Sequence, residues 1–201
     1  ISNETAYILQ DEVTKLRVRD GEKVAGYKVG CTGPGTTKLF GMDGPIRGTL
    51  FDREILTDNA YLDPHLFCNL AVEAEMAMFL GENKEIESVF PIIELHNFVF
   101  KASKKSLSEL IANNGLNRGL VLSKKCWQRK PEDYDETLSL SLEINGCIID
   151  EGNLWPMLGG PSSSIEWLSE HLRKYDQELL PGNLVLGGTA LGLHLVKPGD
   201  D

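Results

Sequence analysis

Three glutamates and one lysine are the groups of this chain best placed to do chemistry. In Ala71-Val72-Glu73-Ala74-Glu75-Met76-Ala77 two carboxylates alternate with apolar residues. Alternate residues of a strand share a face, so Glu73 and Glu75 stand side by side with Ala77 and Phe79. Val72, Ala74, Met76, Met78 and Leu80 take the other face. Neighbouring carboxylates repel each other, and burial sharpens the repulsion. Two arrangements relieve it: the face is solvated, or a cation sits between the oxygens. Oxygen ligands favour a hard ion, Mg²⁺ or Mn²⁺. Pro91-Ile92-Ile93-Glu94-Leu95-His96-Asn97 is a second apolar strand, interrupted by Glu94, with His96 on the same face. Three carboxylates can hold a divalent ion and leave positions open for substrate and water. The plainer roles are a strand-end carboxylate for Glu94 and a structural histidine for His96. Lys28 lies in Gly26-Tyr27-Lys28-Val29-Gly30, inside a short apolar strand. If its amine reaches the carboxylates it can donate or accept a proton; otherwise it snorkels or forms a structural ion pair.

The elements that must position these groups follow from periodicity. Glu4 to Arg19 places Ala6, Ile8, Leu9, Val13 and Leu16 at helical spacing, capped by Asn3 or Thr5. Val24 to Gly30 reads as a strand. Residues 31–49 form a long loop carrying Gly33, Pro34, Gly35, Gly41, Gly44, Pro45 and Gly48, without the spacing of a phosphate-binding loop. Strand patterns follow at Cys68 to Leu80 and Pro91 to Phe100. Ser103 to Ala112 is helical and ends at Asn113-Asn114-Gly115. Thr137 to Ile149 alternates around an Asn145-Gly146 hairpin turn. Pro161 starts a helix through Ile165, Trp167, Leu168 and Leu172, and Asn183 to Val196 reads as strand with bends at its glycines. The sum is one α+β domain over 1–201, mixed and β-rich, with a few flanking helices and a helical segment at 1–25.

The 201 residues are 41% hydrophobic and 25% charged, the balance of a folded soluble chain. No stretch approaches the ~18 apolar residues of a membrane helix. A net charge of −10, with no basic block to offset it, argues against a nucleic-acid partner. Cys31, Cys68, Cys126 and Cys147 are too scattered for a zinc cluster or a disulfide framework, and read as buried or half-buried thiols of a cytoplasmic protein. Ile1 is followed by polar residues, so a signal peptide is not expected.

Taken in order, the motifs resemble the 2-keto-4-pentenoate hydratase/4-oxalocrotonate decarboxylase family of the fumarylacetoacetate hydrolase-like superfamily. The resemblance runs through Ala6-Tyr7 with Gln10, Gly26 to Thr32, Phe40 to Pro45, Gly48 to Phe51, Val72 to Glu75 and Pro91 to Glu94. It continues through Asn114 to Ser123, Gly159-Gly160-Pro161 with Trp167-Leu168, Leu186 to Thr189, and Lys197 to Asp200. It implies the superfamily's β-rich fold, a homo-oligomer, Mg²⁺ (or Mn²⁺) at Glu73, Glu75 and Glu94, Lys28 as catalytic group, and Leu50, Gly188 and Thr189 against substrate. The implied substrate is a small 2-keto or 2-hydroxydienoate acid, as in aromatic-compound catabolism, hydrated through a metal-stabilised enolate. A decarboxylase, an acylpyruvate C–C hydrolase and a non-catalytic keto-acid binder are the alternatives; the early loop lacks the histidine a hydrolase would use as base. The chain departs from the family pattern at Asn97, where an aspartate is usual, at Gly187-Gly188-Thr189, and at Gly152 to Trp155. The departures imply a changed pocket.

Overall fold

The computed structural model describes residues 1–33, 45–101, 105–123, 129–134 and 138–201. Pro34, Gly35, Gly41, Gly44, the stretch Phe40 to Asp43, Ser103, Cys126 and Thr137 lie outside the described residues.

The longest strands carry the glutamates. β4 (Leu70–Leu80) and β5 (Ile86–Asn97) pair antiparallel with Glu73 opposite Glu94 and Ala71 opposite His96. Directly paired residues share a face. Glu73, Glu75, Glu94 and His96 therefore all project from one side of the ribbon. The expected strand at Pro91 to Phe100 thus begins earlier and ends at Asn97.

The sheet is built around this ribbon in the order β2-β1-β9-β4-β5-β6-β3. β1 (Val24–Gly30) runs antiparallel to β2 (Ile46–Phe51) and parallel to β9 (Leu184–Leu186). β6 (Asn117–Leu122) joins β5 to the short β3 (Ile55–Thr57). β7 (Ser139–Ile144) and β8 (Cys147–Asn153) form a separate hairpin through the expected Asn145-Gly146 turn. β10 (His194–Leu195) pairs with β4 at Ala71 and Val72, whereas β9 pairs with it from Ala77 to Phe79. Asn183 to Val196 is therefore two short strands on one edge of β4, not a continuous strand. Between them the chain bends away beside Glu73 to Met76.

Two apolar layers cover the sheet. The layer with Val72, Ala74, Met76 and Met78 packs against Leu168 and Leu172 of α3 (Gly160–Arg173) and Leu140 and Leu142 of the hairpin. The opposite layer holds Ala77, Phe90, Ile92, Leu120 and Leu186. A third cluster joins Ala6 and Tyr7 of α1 (Asn3–Arg19) to Leu110 and Ile111 of α2 (Leu107–Ala112). Ser106 caps α2 with a reciprocal Glu109 contact.

α1 differs from its expected orientation. Its cap is Ser2, and the buried positions are Ala6, Tyr7 and Gln10. Ile8, Leu9, Val13 and Leu16 are each about half exposed. The inward stripe is held by polar groups: Gln10 Nε2 donates to the carbonyls of Ile111 (2.6 Å) and Arg47 (3.2 Å). Arg47, fully buried, donates to Gln10 Oε1 and to both oxygens of Asp11. The thiols also differ from expectation, because Cys68 and Cys147 are exposed and Cys31 is half-buried. Among the described residues no helix is long and apolar enough to cross a membrane.

Candidate active site

Lys28 stands in the middle of β1, opposite Gly48 on β2 and Leu186 on β9. Neither its stem nor its head reaches bulk water, and it is 3% exposed. Its Nζ donates to Glu94 Oε1 at 2.5 Å. Asn117 Nδ2 on β6 donates to the same oxygen at 2.7 Å. Glu94 Oε2 is buried without a hydrogen bond, with His96 Nε2 3.4 Å away. That ring nitrogen bonds instead with Glu73 Oε2, at 3.0 Å.

Glu75 meets the bend between β9 and β10. Gly188 donates its backbone N–H to Glu75 Oε1. Gly188 has φ +87, and a Cβ there would fall 2.6 Å from the Thr32 side chain. Glycine is needed to turn the N–H toward the carboxyl at this point. Thr189 locks the turn, its hydroxyl donating to the carbonyl of Ala74 and accepting from the N–H of Leu191.

Electrostatics follow from this crowding. Burial and the charge of Glu94 push the Glu75 carboxyl well above the usual range. Burial acts in the same sense on Glu94, but Lys28 and His96 outweigh it and hold that carboxyl far below. For Lys28 burial opposes the charge, yet Glu94, Glu75 and Glu73 together raise its pKa. His96 is also raised, chiefly because Glu94 overcomes burial. Like charges have been forced together and are compensated by whatever cations the chain supplies.

The donor set fits a divalent ion. Single ligand atoms of Glu73, Glu94 and His96 all lie within 4.8 Å of one another. Glu94 Oε2 is the unbonded buried oxygen in that group. The carboxylates of Glu73, Glu75 and Glu94, which line the same cavity, are the oxygen donors that suit Mg²⁺ or Mn²⁺, with the His96 imidazole beside them.

These groups line a cavity of about 300 Å³. Lys28, Glu73, Glu75, Glu94, Gly188 and Thr189, all singled out from the sequence, meet there. Leu50 does not; it is 1% exposed and packed in the layer with Phe90 and Leu120. Asn97 also faces elsewhere, its Oδ1 accepting from the N–H groups of Cys68 and Asn69. It secures the end of the ribbon instead of shaping the pocket. His96 joins the carboxylate cluster, although a structural role was the plainer expectation. Nothing in the local sequence of Asn117 or Lys105 marks either as part of this site.

No family model matches the chain. Curated relatives nevertheless span almost all of it. The 2-oxo-hept-4-ene-1,7-dioate hydratase of Escherichia coli is 26% identical over 208 residues, covering 94% of this chain and 77% of that protein. The 4-oxalocrotonate decarboxylase of Pseudomonas putida is 25% identical, covering 98% of this chain and 78% of that protein. Among solved structures, the 4-oxalocrotonate decarboxylase of Pseudomonas putida G7, complexed with magnesium and adipate, superposes with a TM-score of 0.92 at 23% identity. That match covers all of this chain and 80% of the other. A yeast fumarylacetoacetate hydrolase family protein aligns over 87% of this chain and 83% of its own, with a TM-score of 0.53 at 16% identity. The structural likenesses establish the shared fold.

Proposed function

We propose that this chain, which belongs with the 2-keto-4-pentenoate hydratases and 4-oxalocrotonate decarboxylases by sequence and by fold, is a divalent-metal-dependent hydratase of a small 2-hydroxydienoate or 2-keto acid. The observation that carries this reading is the meeting of Glu73, Glu75, Glu94 and Lys28 in one pocket, with Glu94 Oε2 buried and unbonded.

Glu73, Glu75 and Glu94, with His96 beside them, would hold Mg²⁺ or Mn²⁺. The ion would supply Lewis acidity to the carboxylate and 2-oxygen of the substrate, where negative charge develops. The remaining work falls to the chain. Lys28 holds a proton at Nζ inside the pocket and can deliver it to the substrate or take one back during tautomerisation. Asn117 and Lys28 together orient Glu94 by donating to one of its oxygens. Gly188 and Thr189 line the pocket along the edge of β4, and Ile46, Leu110 and Leu116 supply an apolar wall against the carbon chain. Decarboxylation is the second reading, because loss of CO₂ needs the same electron sink at the 2-oxygen, and the decarboxylase relative spans the chain equally well.

A homo-oligomer and a cytoplasmic location belong to this reading. The exposed apolar row Ile8, Leu9, Val13 and Leu16 on α1 supports the first. Free thiols at Cys31, Cys68 and Cys147 suit the reducing compartment of the second.

The test is to supply the Mg²⁺-loaded protein with 2-hydroxypenta-2,4-dienoate and follow loss of diene absorbance and formation of the hydrated keto acid. Turnover that chelation and Lys28→Met both abolish is expected. A folded, metal-loaded protein that consumes neither this acid nor 4-oxalocrotonate, with CO₂ trapped as the second readout, would overturn the assignment.

A further inference from the structure

Beside the Lys28–Glu94 pair the chain makes a turn of the unusual hand. Asn114, Gly115 and Leu116, between α2 and β6, have φ of +57, +61 and +64. Three successive left-handed residues are rare, because a side chain in that conformation crowds its Cβ against the following carbonyl. Glycine takes the middle position freely, but Asn114 and Leu116 are held there against a local cost. The Asn114 side chain supplies the compensation. Its Oδ1 accepts from the Thr49 N–H at 2.6 Å, and its Nδ2 donates to the Thr49 carbonyl at 2.8 Å. β2 stands at the end of the strand order, so this amide fills the place of a further strand.

The clasped turn is packed against the lysine. A Cβ at Gly48 would lie 2.9 Å from both the Asn114 carbonyl oxygen and Lys28 Cγ, so turn, strand and lysine stem converge on one point. A Cβ at Gly115 would lie 3.6 Å from Lys28 Cε and 3.7 Å from Nζ, which puts the backbone of the turn beside the amine end of the side chain. Leu116 lines the cavity, and Asn117 donates to the same Glu94 oxygen as Lys28. We propose that Asn114 is a positioning residue: its clasp on Thr49 holds the left-handed turn, and the turn seats the Lys28 amine on Glu94. Without the clasp the turn relaxes, and Lys28 gains the space that the backbone of Gly115 now fills. The consequence for turnover rests on the functional reading above; the seating of the amine does not.

The experiment is acetylation of lysines by acetic anhydride in EDTA, followed by peptide mass spectrometry. It compares the rate at Lys28 with that at Lys105, which lines the same cavity. Asn114→Ala is expected to label Lys28 about thirty-fold faster than wild type, the factor that two lost hydrogen bonds allow, with Lys105 unchanged. Asn114→Gly loses the clasp but suits the left-handed turn. It is expected to label Lys28 at a rate between the two, and it carries the comparison if the alanine variant does not fold. With Mg²⁺ and 2-hydroxypenta-2,4-dienoate, Asn114→Ala is expected to lose about ten-fold in kcat at unchanged KM, part of what a positioned proton carrier contributes. Lys28 as protected in the folded variants as in wild type, or labelling that rises equally at Lys28 and Lys105, would overturn the proposal and leave Asn114 a general brace of the fold. A wild type that consumes no such acid would overturn the functional reading, while the labelling still decides the role of Asn114.

Discussion

Replacing Lys28 by methionine keeps the aliphatic stem and removes the ammonium. In the metal-free protein that change strands Glu94, which is 1% exposed and loses a 2.5 Å contact to a partner that is itself 3% exposed. Breaking one side of a buried ion pair costs about 3–5 kcal/mol. A domain of this size loses ~2–4 °C of Tm per kcal/mol, so Lys28→Met is expected to melt about 6–20 °C below wild type in EDTA. A divalent cation in the pocket replaces the missing positive charge. Wild type with Mg²⁺ at about 100 times its Kd gains ~2.7 kcal/mol. The variant is expected to gain more, because it needs the cation's charge and no longer repels it. Paired thermal melts of both proteins, with EDTA and with a Mg²⁺ series, measure the effect. The gap between them should narrow as Mg²⁺ rises, while turnover stays abolished. A variant that melts within about 2 °C of wild type in EDTA, or that is stabilised by Mg²⁺ no more than wild type, would refute the argument that Lys28 and the metal compensate the same carboxylate.

Gly26→Ala should prevent assembly of the central sheet: φ is +154, and a Cβ would lie 1.8 Å from the carbonyl oxygen of Leu184, so the soluble fraction on expression is expected to collapse. Arg47→Leu leaves Asp11 and Gln10 without their donor beneath α1, at a cost of about 3–5 kcal/mol in urea melts, and Arg47→Lys should not restore it because a lysine lacks the bidentate fork. His171 stacks on Trp167 and Tyr175, and burial, with Arg47 and Lys174 nearby, lowers its pKa to about 4. The unfolded chain then binds the extra proton first, so stability is complete above about 6.5 and falls as pH drops toward 4. Urea midpoints at pH 7.5 and 4.5 should show wild type losing about 1–2 kcal/mol more than His171→Phe, a figure reduced for partial solvent screening.

The pattern of charge on β4 and β5 was legible because a strand has a period of two. An acidic pair on apolar strands already specified which side chains share a face, and Glu94 and His96 followed from the same parity. What parity does not supply is register. The pairing of Glu73 with Glu94 and of Ala71 with His96 is set by the whole ladder, and that pairing places the imidazole against Glu73. Asn117 reaches Glu94 across an irregularity in the β5–β6 register, which local sequence does not encode. The interruption of the strand pattern at Asn183 to Val196 escapes the local sequence for a related reason. Its apolar residues suit a strand throughout, but β9 and β10 share one edge of β4, and the intervening chain turns toward Glu75. On α1 the apolar count pointed to the wrong face, because the contacts that bury Gln10 come from residues 37 and 101 positions away. Leu50 came from the resemblance alone, and its side chain belongs to the packed layer of the sheet.

The most direct test of a metal-centred pocket is calorimetric titration of Mg²⁺ or Mn²⁺ into chelator-stripped protein, with and without oxalate as a mimic of the 2-oxo acid end. The account predicts one site per chain, tightened by oxalate, and lost in Glu94→Gln while circular dichroism shows the fold retained. Absence of metal binding in folded wild type, or binding that Glu94→Gln leaves unchanged, would contradict it.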